Sequence, residues 1–196
     1  FYTHFSNKIV PNYNTDPTKI IYDNLEGYSI SKGASFQMSH SFSIPLNISL
    51  GGTFLDVYSI NKGKKNIEIF TPSFSGVFSI GYKWPLNKIK LDYTGRIMGP
   101  MQLPTYEEEL ARDEISPWYT LQHLKVEKRF TNKISAYLGV RNLFNFTQES
   151  PLVDPGTGSN AATNESWQAG FSPKFDTAYV YGPTRGRRYI IGLSWK

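Results

Sequence analysis

"GYSISKGASFQMSHSF", residues 27–42, holds the fold of the chain in its two parities. Even positions are Tyr28, Ile30, Lys32, Ala34, Phe36, Met38, His40 and Phe42, and odd positions are Ser29, Ser31, Gly33, Ser35, Gln37, Ser39 and Ser41. A period of two sends alternate side chains to opposite faces of a strand, whereas a helix groups residues three and four apart. The stretch predicts one strand, longer than the ~5–6 residues usual in soluble sheets. One face is apolar and the other is small or polar.

The pattern recurs. Residues 72–84, "PSFSGVFSIGYKW", set Phe74, Gly76, Phe78, Ile80, Tyr82 and Trp84 against Ser73, Ser75, Ser79, Gly81 and Lys83, with Val77 out of place. Residues 89–97 set Ile89, Leu91, Tyr93, Gly95 and Ile97 against Lys90, Asp92, Thr94 and Arg96. Eight strands are predicted, at residues 1–10, 27–43, 47–59, 72–85, 88–99, 117–130, 133–146 and 185–196. Their connections alternate long (11–26, 60–71, 100–116, 147–184) and short ("IPLN" 44–47, "PLNK" 85–88, "TNK" 131–133). An all-β, antiparallel up-and-down sheet collects the tight turns at one end, as transmembrane barrels do. Strand ends carry aromatics (Tyr58, Trp84, Trp118, Tyr119, Phe130, Phe144, Phe146), as interfacial girdles require. A soluble barrel with its apolar side inward has the same period; strand length and loop asymmetry favour the membrane form, with outer-membrane lipid as a partner.

Composition narrows the function. The 196 residues are 39% hydrophobic and 15% aromatic, contain no cysteine and carry a formal charge of +5. These values argue against a helical bundle, and the missing cysteines exclude a disulfide framework or a Cys-based zinc site. No apolar run is long enough for a helical span, and Phe1-Tyr2-Thr3-His4 lacks a secretory-signal pattern, so any export signal is expected upstream or removed. Lysines and arginines are scattered rather than striped, so no nucleic-acid partner is expected.

"YLGVRNLFNF" (137–146) and "YGPTRGRRYIIGLSWK" (181–196) resemble the C-terminal end of TonB-dependent outer-membrane receptors. The family's G-V-x-N-L-F-[ND] stretch is matched by Gly139, Val140, Asn142, Leu143, Phe144 and Asn145. The Pro-x-Arg opening of the last strand is matched by Pro183 and Arg185, and its glycine by Gly192. "FYTHFSNKIV" and "GPMQLP…SPWYTLQHLKVEKRF" resemble internal strands of such receptors. The family ends on an aromatic residue, which on the parity of Tyr189, Ile191, Leu193 and Trp195 falls one place beyond Lys196.

The resemblance implies a barrel of about 22 strands around a plug. Residues 1–196 are then expected to be its C-terminal β-barrel segment, about eight strands, with the plug domain, the N-terminal strands and the TonB-contacting segment elsewhere. It further implies an outer-membrane location and import of a scarce nutrient such as a metal chelate, haem, a corrinoid or a glycan, energised by the TonB complex through the plug. The other reading is a self-contained eight-stranded outer-membrane barrel with a structural or adhesion role, closed by pairing of residues 1–10 with 185–196. In either case the even residues of 28–42 meet lipid, Lys32 stands near the outer rim because a mid-bilayer lysine costs about 2–4 kcal/mol, and His40 lies near the periplasmic interface.

Chemical candidates are sparse. His4 and His123 have lumenal parity, but the three histidines show no ligand spacing, so polar lumen residues are the simpler reading. Lys125, Glu127 and Arg129 are expected to cross-pair with Lys90, Asp92 and Arg96 on the next strand. The lumen and loop candidates for ligand contact are His123, Arg96 and Trp167. Glu107, Glu108, Glu109, Asp113 and Glu114 lack EF-hand order, Met98 and Met101 lack a His or Cys companion for copper, and "DPGTGSN" (154–160) lacks a phosphate-loop ending. Phe171, Phe175, Tyr179 and Tyr181 with Trp167 line a long loop, and Arg185, Arg187 and Arg188 suit strand entry and lipid head groups. His123 with Ser116 is the one pair that could suggest catalysis. The expectation is a transporter rather than an enzyme, without cofactor or metal.

Overall fold

The computed structural model describes residues 1–12, 21–105, 112–152 and 177–195. Its strands are β1 (Tyr2–Ser6), β2 (Ile9–Asn12), β3 (Ile21–Asn24), β4 (Gly27–Ser41), β5 (Leu46–Asn61), β6 (Lys64–Ile67), β7 (Phe74–Trp84), β8 (Ile89–Met98), β9 (Tyr119–Arg129), β10 (Ile134–Arg141) and β11 (Arg188–Trp195). Eight of them form an antiparallel meander in the order β1-β4-β5-β7-β8-β9-β10-β11, and these are the eight strands that the periodicity predicts. β6 folds back onto β5, and β2 with β3 makes a separate hairpin.

Local chemistry explains the departures from the predicted boundaries. Asn7 takes a positive φ of 56° and breaks the first predicted strand into β1 and β2. Lys62 and Gly63, with φ of 49° and 79°, make the tight two-residue turn that returns β6 within a predicted loop. Asn142, at φ 52°, ends β10 five residues before the predicted limit of 146.

Register preserves the two faces across the sheet. Met38 pairs with Leu50, Leu50 with Phe78, and Phe78 with Gly95. One residue over, Ser39 pairs with Ser49, Ser49 with Ser79, Ser79 with Thr94, and Thr94 with His123. A one-residue slip would exchange these rows wholesale. On the apolar face Phe36, Met38, Leu138 and Ile191 are 54%, 59%, 52% and 82% exposed. Uncovered side chains of this size are not the core of a soluble sandwich. Among the described residues a cluster of buried apolar side chains, Met101, Leu103, Tyr119, Leu121 and Tyr179, sits at the long-loop end.

The apolar face is banded by aromatic rings. Phe54, Phe74 and Trp118 meet at 4.8 and 5.9 Å near the long loops, and Tyr82 and Trp84 meet at 4.4 Å near the short turns. Phe74 and Trp84 are the first and last of the 11 residues of β7, about 34 Å apart along the strand. At a barrel tilt of about 40° that is about 26 Å of height, matching the ~25 Å apolar band of outer-membrane barrels. Among the described residues, charged side chains on this face stand only at or beyond the rings: Lys32, Asp56 and Lys65 past the outer one, Lys128 at the inner one. Between the rings, Phe36 lies over Gly52 and Phe78 over Gly95, where an added Cβ would meet the rings at 2.5 and 2.6 Å.

Two expectations change. His4 pairs with Ile30 and stacks on Tyr28 at 5.1 Å, so it shares the apolar face and not the lumenal one; the shift follows from the pairing of β1 with β4, which sequence parity within β1 alone does not fix. The sheet is also open: among the described residues β1 and β11 are its two edges and do not pair, so the closed eight-stranded barrel is not formed.

Candidate functional site

The polar face carries the groups able to meet a ligand. Its short-turn half is a chequerboard in which Lys90 stands opposite Glu127 and Asp92 opposite Lys125. The ion pairs nevertheless run along the strands, Lys90–Asp92 at 2.8 Å and Lys125–Glu127 at 3.1 Å, rather than across as expected. Residues two apart on one strand share a face, and long lysine stems reach along it.

Towards the long loops the balance turns basic. Arg96 stands opposite Leu121 on β9, His123 opposite Thr94 on β8, and Arg141 opposite Arg188 on β11. Arg188 therefore faces the lumenal side, not the lipid, because Tyr189 and Ile191 take the outward parity of β11. An open depression of about 390 Å³ is lined by Leu121, His123, Arg141, Asn142, Arg185 and Arg188, with no carboxylate among them. Two arginines directly opposite one another are destabilising unless an anion lies between them.

Asn142 organises this corner. Its Nδ2 donates to the carbonyls of Phe146 at 2.6 Å and Arg185 at 3.3 Å, and its Oδ1 accepts from the Phe146 N–H at 3.0 Å. Its own N–H donates to His123 Nδ1 at 3.1 Å. That bond leaves His123 with its proton on Nε2, so the ring offers a donor to the depression. Asn145, also left-handed at φ 58°, accepts the Arg187 N–H at 2.7 Å. The N-L-F-N stretch is thus a loop lock that fixes where Arg141, Arg185 and Arg188 stand.

A second lock holds the loops above. The Tyr119 ring stacks on Phe146 at 4.9 Å, and its hydroxyl donates to the Tyr181 carbonyl at 3.0 Å. Gln148 Nε2 donates to the Tyr179 carbonyl, and its Oε1 accepts from the N–H groups of Tyr181 and Gly182. Tyr179 donates its hydroxyl to the Asp113 carbonyl at 2.8 Å. Burial, and next the nearby Asp113 charge, push the Tyr179 and Tyr181 hydroxyls above the usual tyrosine range.

Of the sequence candidates, Arg96 and His123 fall in this basic corner, while Trp167 lies outside the described residues, as do Glu107, Glu108, Glu109, Phe171, Phe175, residues 154–160 and Lys196. Met101 is buried in the loop core with Met98 packed against it, which accounts for both methionines. Ser116 accepts the Met101 N–H within that core, and His123 Nδ1 is bound to Asn142, so they form no nucleophile and base pair. Arg141, Asn142 and Gln148 were not foreseen as site residues. The N-L-F-N motif was the available signal, since asparagine tolerates the left-handed turns it needs.

No family model and no curated protein matches the chain. Solved structures do. All of the chain superposes on 26% of the pyoverdine outer-membrane receptor FpvA from Pseudomonas aeruginosa, at 20% identity and a TM-score of 0.65. It also matches the ferric-catecholate import receptor Fiu from E. coli (13% identity, 98% of this chain, 24% of that one, TM-score 0.62) and the FrpB iron transporter from Neisseria meningitidis (10%, 99%, 27%, 0.60). The chain spans about a quarter of the length of these receptors. In its fold, then, the chain is like a run of strands in the β-barrels of TonB-dependent outer-membrane receptors, the type that its 137–146 and 181–196 stretches resemble.

Proposed function

We propose that residues 1–196 are the C-terminal barrel segment of an outer-membrane receptor that imports a scarce nutrient, with an anionic iron chelate as the cargo. The whole-length match to receptors named for pyoverdine, ferric catecholate and iron carries this reading. In it the remaining strands join the open edges β1 and β11, a plug fills the lumen, and the TonB complex supplies energy through that plug. The chain acts as wall and loops, without catalysis.

The basic corner supports the choice of an anionic cargo. Guanidinium groups bind carboxylate and catecholate oxygens through paired N–H donors, and Arg96, Arg141, Arg185 and Arg188 gather around the His123 donor on the polar face. The test is uptake of radioactive iron by cells carrying the full receptor or lacking it, supplied with a panel of anionic ferric chelates. The reading expects loss of uptake for one chelate in the deletion strain, and a strong reduction in an Arg141→Glu, Arg188→Glu variant that still reaches the outer membrane. Unchanged uptake of every chelate in the deletion strain would end it.

A further inference from the structure

Above the outer aromatic ring, the lipid-facing side is not uniformly apolar. Lys32 and Asp56 are opposite partners on β4 and β5, joined at 3.2 Å and each about half exposed. Two residues further out along β5, the Tyr58 ring has the Lys65 amine 4.2 Å from its centroid on one flank and the Lys32 amine 5.8 Å away on another. Lys65 pairs with Ile60 and so shares the outward parity. Lys62 and Lys64 crown the same hairpin, Lys62 meeting Glu26 at 3.4 Å. Between residues 26 and 67 the lysines number four and the carboxylates two, Glu26 and Asp56, leaving a positive surplus.

Height decides what this surplus faces. Asp56 is two residues beyond Phe54 of the outer ring, about 7 Å along the strand and about 5 Å in height. That is the level of the polar headgroup layer, about 5–7 Å thick in each leaflet. The outermost outward-facing residues of β7, β8, β10 and β11 are Phe74, Ile97, Val140 and Tyr189, none charged. The cations are therefore concentrated in one sector, which marks a localised contact rather than a general affinity for the surface.

We propose that Lys32, Lys65 and Tyr58 form a docking site for the phosphate of an outer-leaflet lipid. The amines contact the phosphate oxygens, the Tyr58 ring and the ring below it pack on the lipid's apolar part, and Asp56 holds Lys32 upright when the site is empty. This inference rests on the outer-membrane reading above, and on its orientation with long loops outward.

The full receptor is purified from outer membranes in mild detergent and examined by native mass spectrometry with a phosphorylated outer-leaflet glycolipid, its dephosphorylated form, or inorganic phosphate as competitor. The expected result is retention of the phosphorylated lipid only. Lys32→Gln with Lys65→Gln is expected to weaken it roughly 30-fold, from the usual contribution of a lysine at an anionic surface, and Lys90→Gln to leave it unchanged. Equal retention of both lipids, or a Lys32→Gln, Lys65→Gln variant that binds like the parent, overturns the site. Displacement by millimolar inorganic phosphate overturns the lipid as its occupant. Each variant is first checked for an intact heat-modifiable band, and Lys65→Gln alone serves if the double variant fails to fold. Absence of the protein from the outer-membrane fraction would instead strike the receptor reading itself.

Discussion

Arg141 and Arg188 stand directly opposite one another at the outer ends of β10 and β11, both on the polar face, beside the His123 ring that Asn142 orients. Holding two like charges in register needs a rigid frame and an anionic partner. The loop lock supplies the first, and the proposed cargo the second.

Replacing Asn142 tests the frame. Asn142→Ala removes three side-chain hydrogen bonds and leaves a Cβ-bearing residue at positive φ. The expected cost is about 2–4 kcal/mol from bonds worth about 1 kcal/mol each plus the strained backbone. Asn142→Gly loses the same bonds but relieves the backbone, and should recover about 1 kcal/mol. Equilibrium unfolding of the two variants in the full protein compares them; equal stabilities would remove the role given to the left-handed turn.

Glycines under aromatic rings make a second case. A methyl at Gly95 would enter the Phe78 ring at 2.6 Å, so Gly95→Ala is expected to destabilise by about 1–3 kcal/mol. Adding Phe78→Leu should return part of that loss, since a smaller side chain yields the space. The check is the heat-modifiability midpoint of the single and double variants, with additive losses counting against the packing argument.

The loop core carries a pH dependence. Tyr179 and Tyr181 have hydroxyls held above the usual tyrosine range, chiefly by burial. A raised folded-state value means that the protonated form is the one favoured on folding. The stabilisation is whole below pH 10 and falls away as pH rises through the folded values. Tyrosinate absorbance should accordingly show these rings ionising after the exposed ones, together with loss of loop protection from hydrogen exchange. Ionisation of Tyr179→Phe protein identical to the parent would contradict the assignment.

How far the sequence reached can be judged from particular residues. Period-two alternation located all eight meander strands because lipid and lumen select opposite side chains at every step, as at Phe36 and Ser35. It gave no access to β6 or the β2–β3 hairpin: four-residue strands offer too few alternations, although Lys62-Gly63 is a legible turn signal. Arg96 and His123 were read as lumenal from parity alone. His4 was misplaced because its face depends on which residue of β4 it meets. Arg188 was assigned to lipid head groups because the loop before β11 hid its register, and the pairing with Arg141 that makes the basic corner is long-range, separated by the whole 142–187 connection.

The central claim is that the even face of β4, β5 and β7 meets lipid while the odd face meets water. The chain has no cysteine, so single cysteines can be introduced without background. The most direct measurement places them at Ser35, Phe36, Ser79 and Phe78 of the full protein in outer membranes, and records labelling by a charged maleimide against quenching by a lipid-borne nitroxide. Positions 35 and 79 should react with the charged reagent, and 36 and 78 should be quenched from the lipid. Water-accessible 36 and 78, with 35 and 79 protected, would mean that the apolar face is inward and that this is not a membrane barrel.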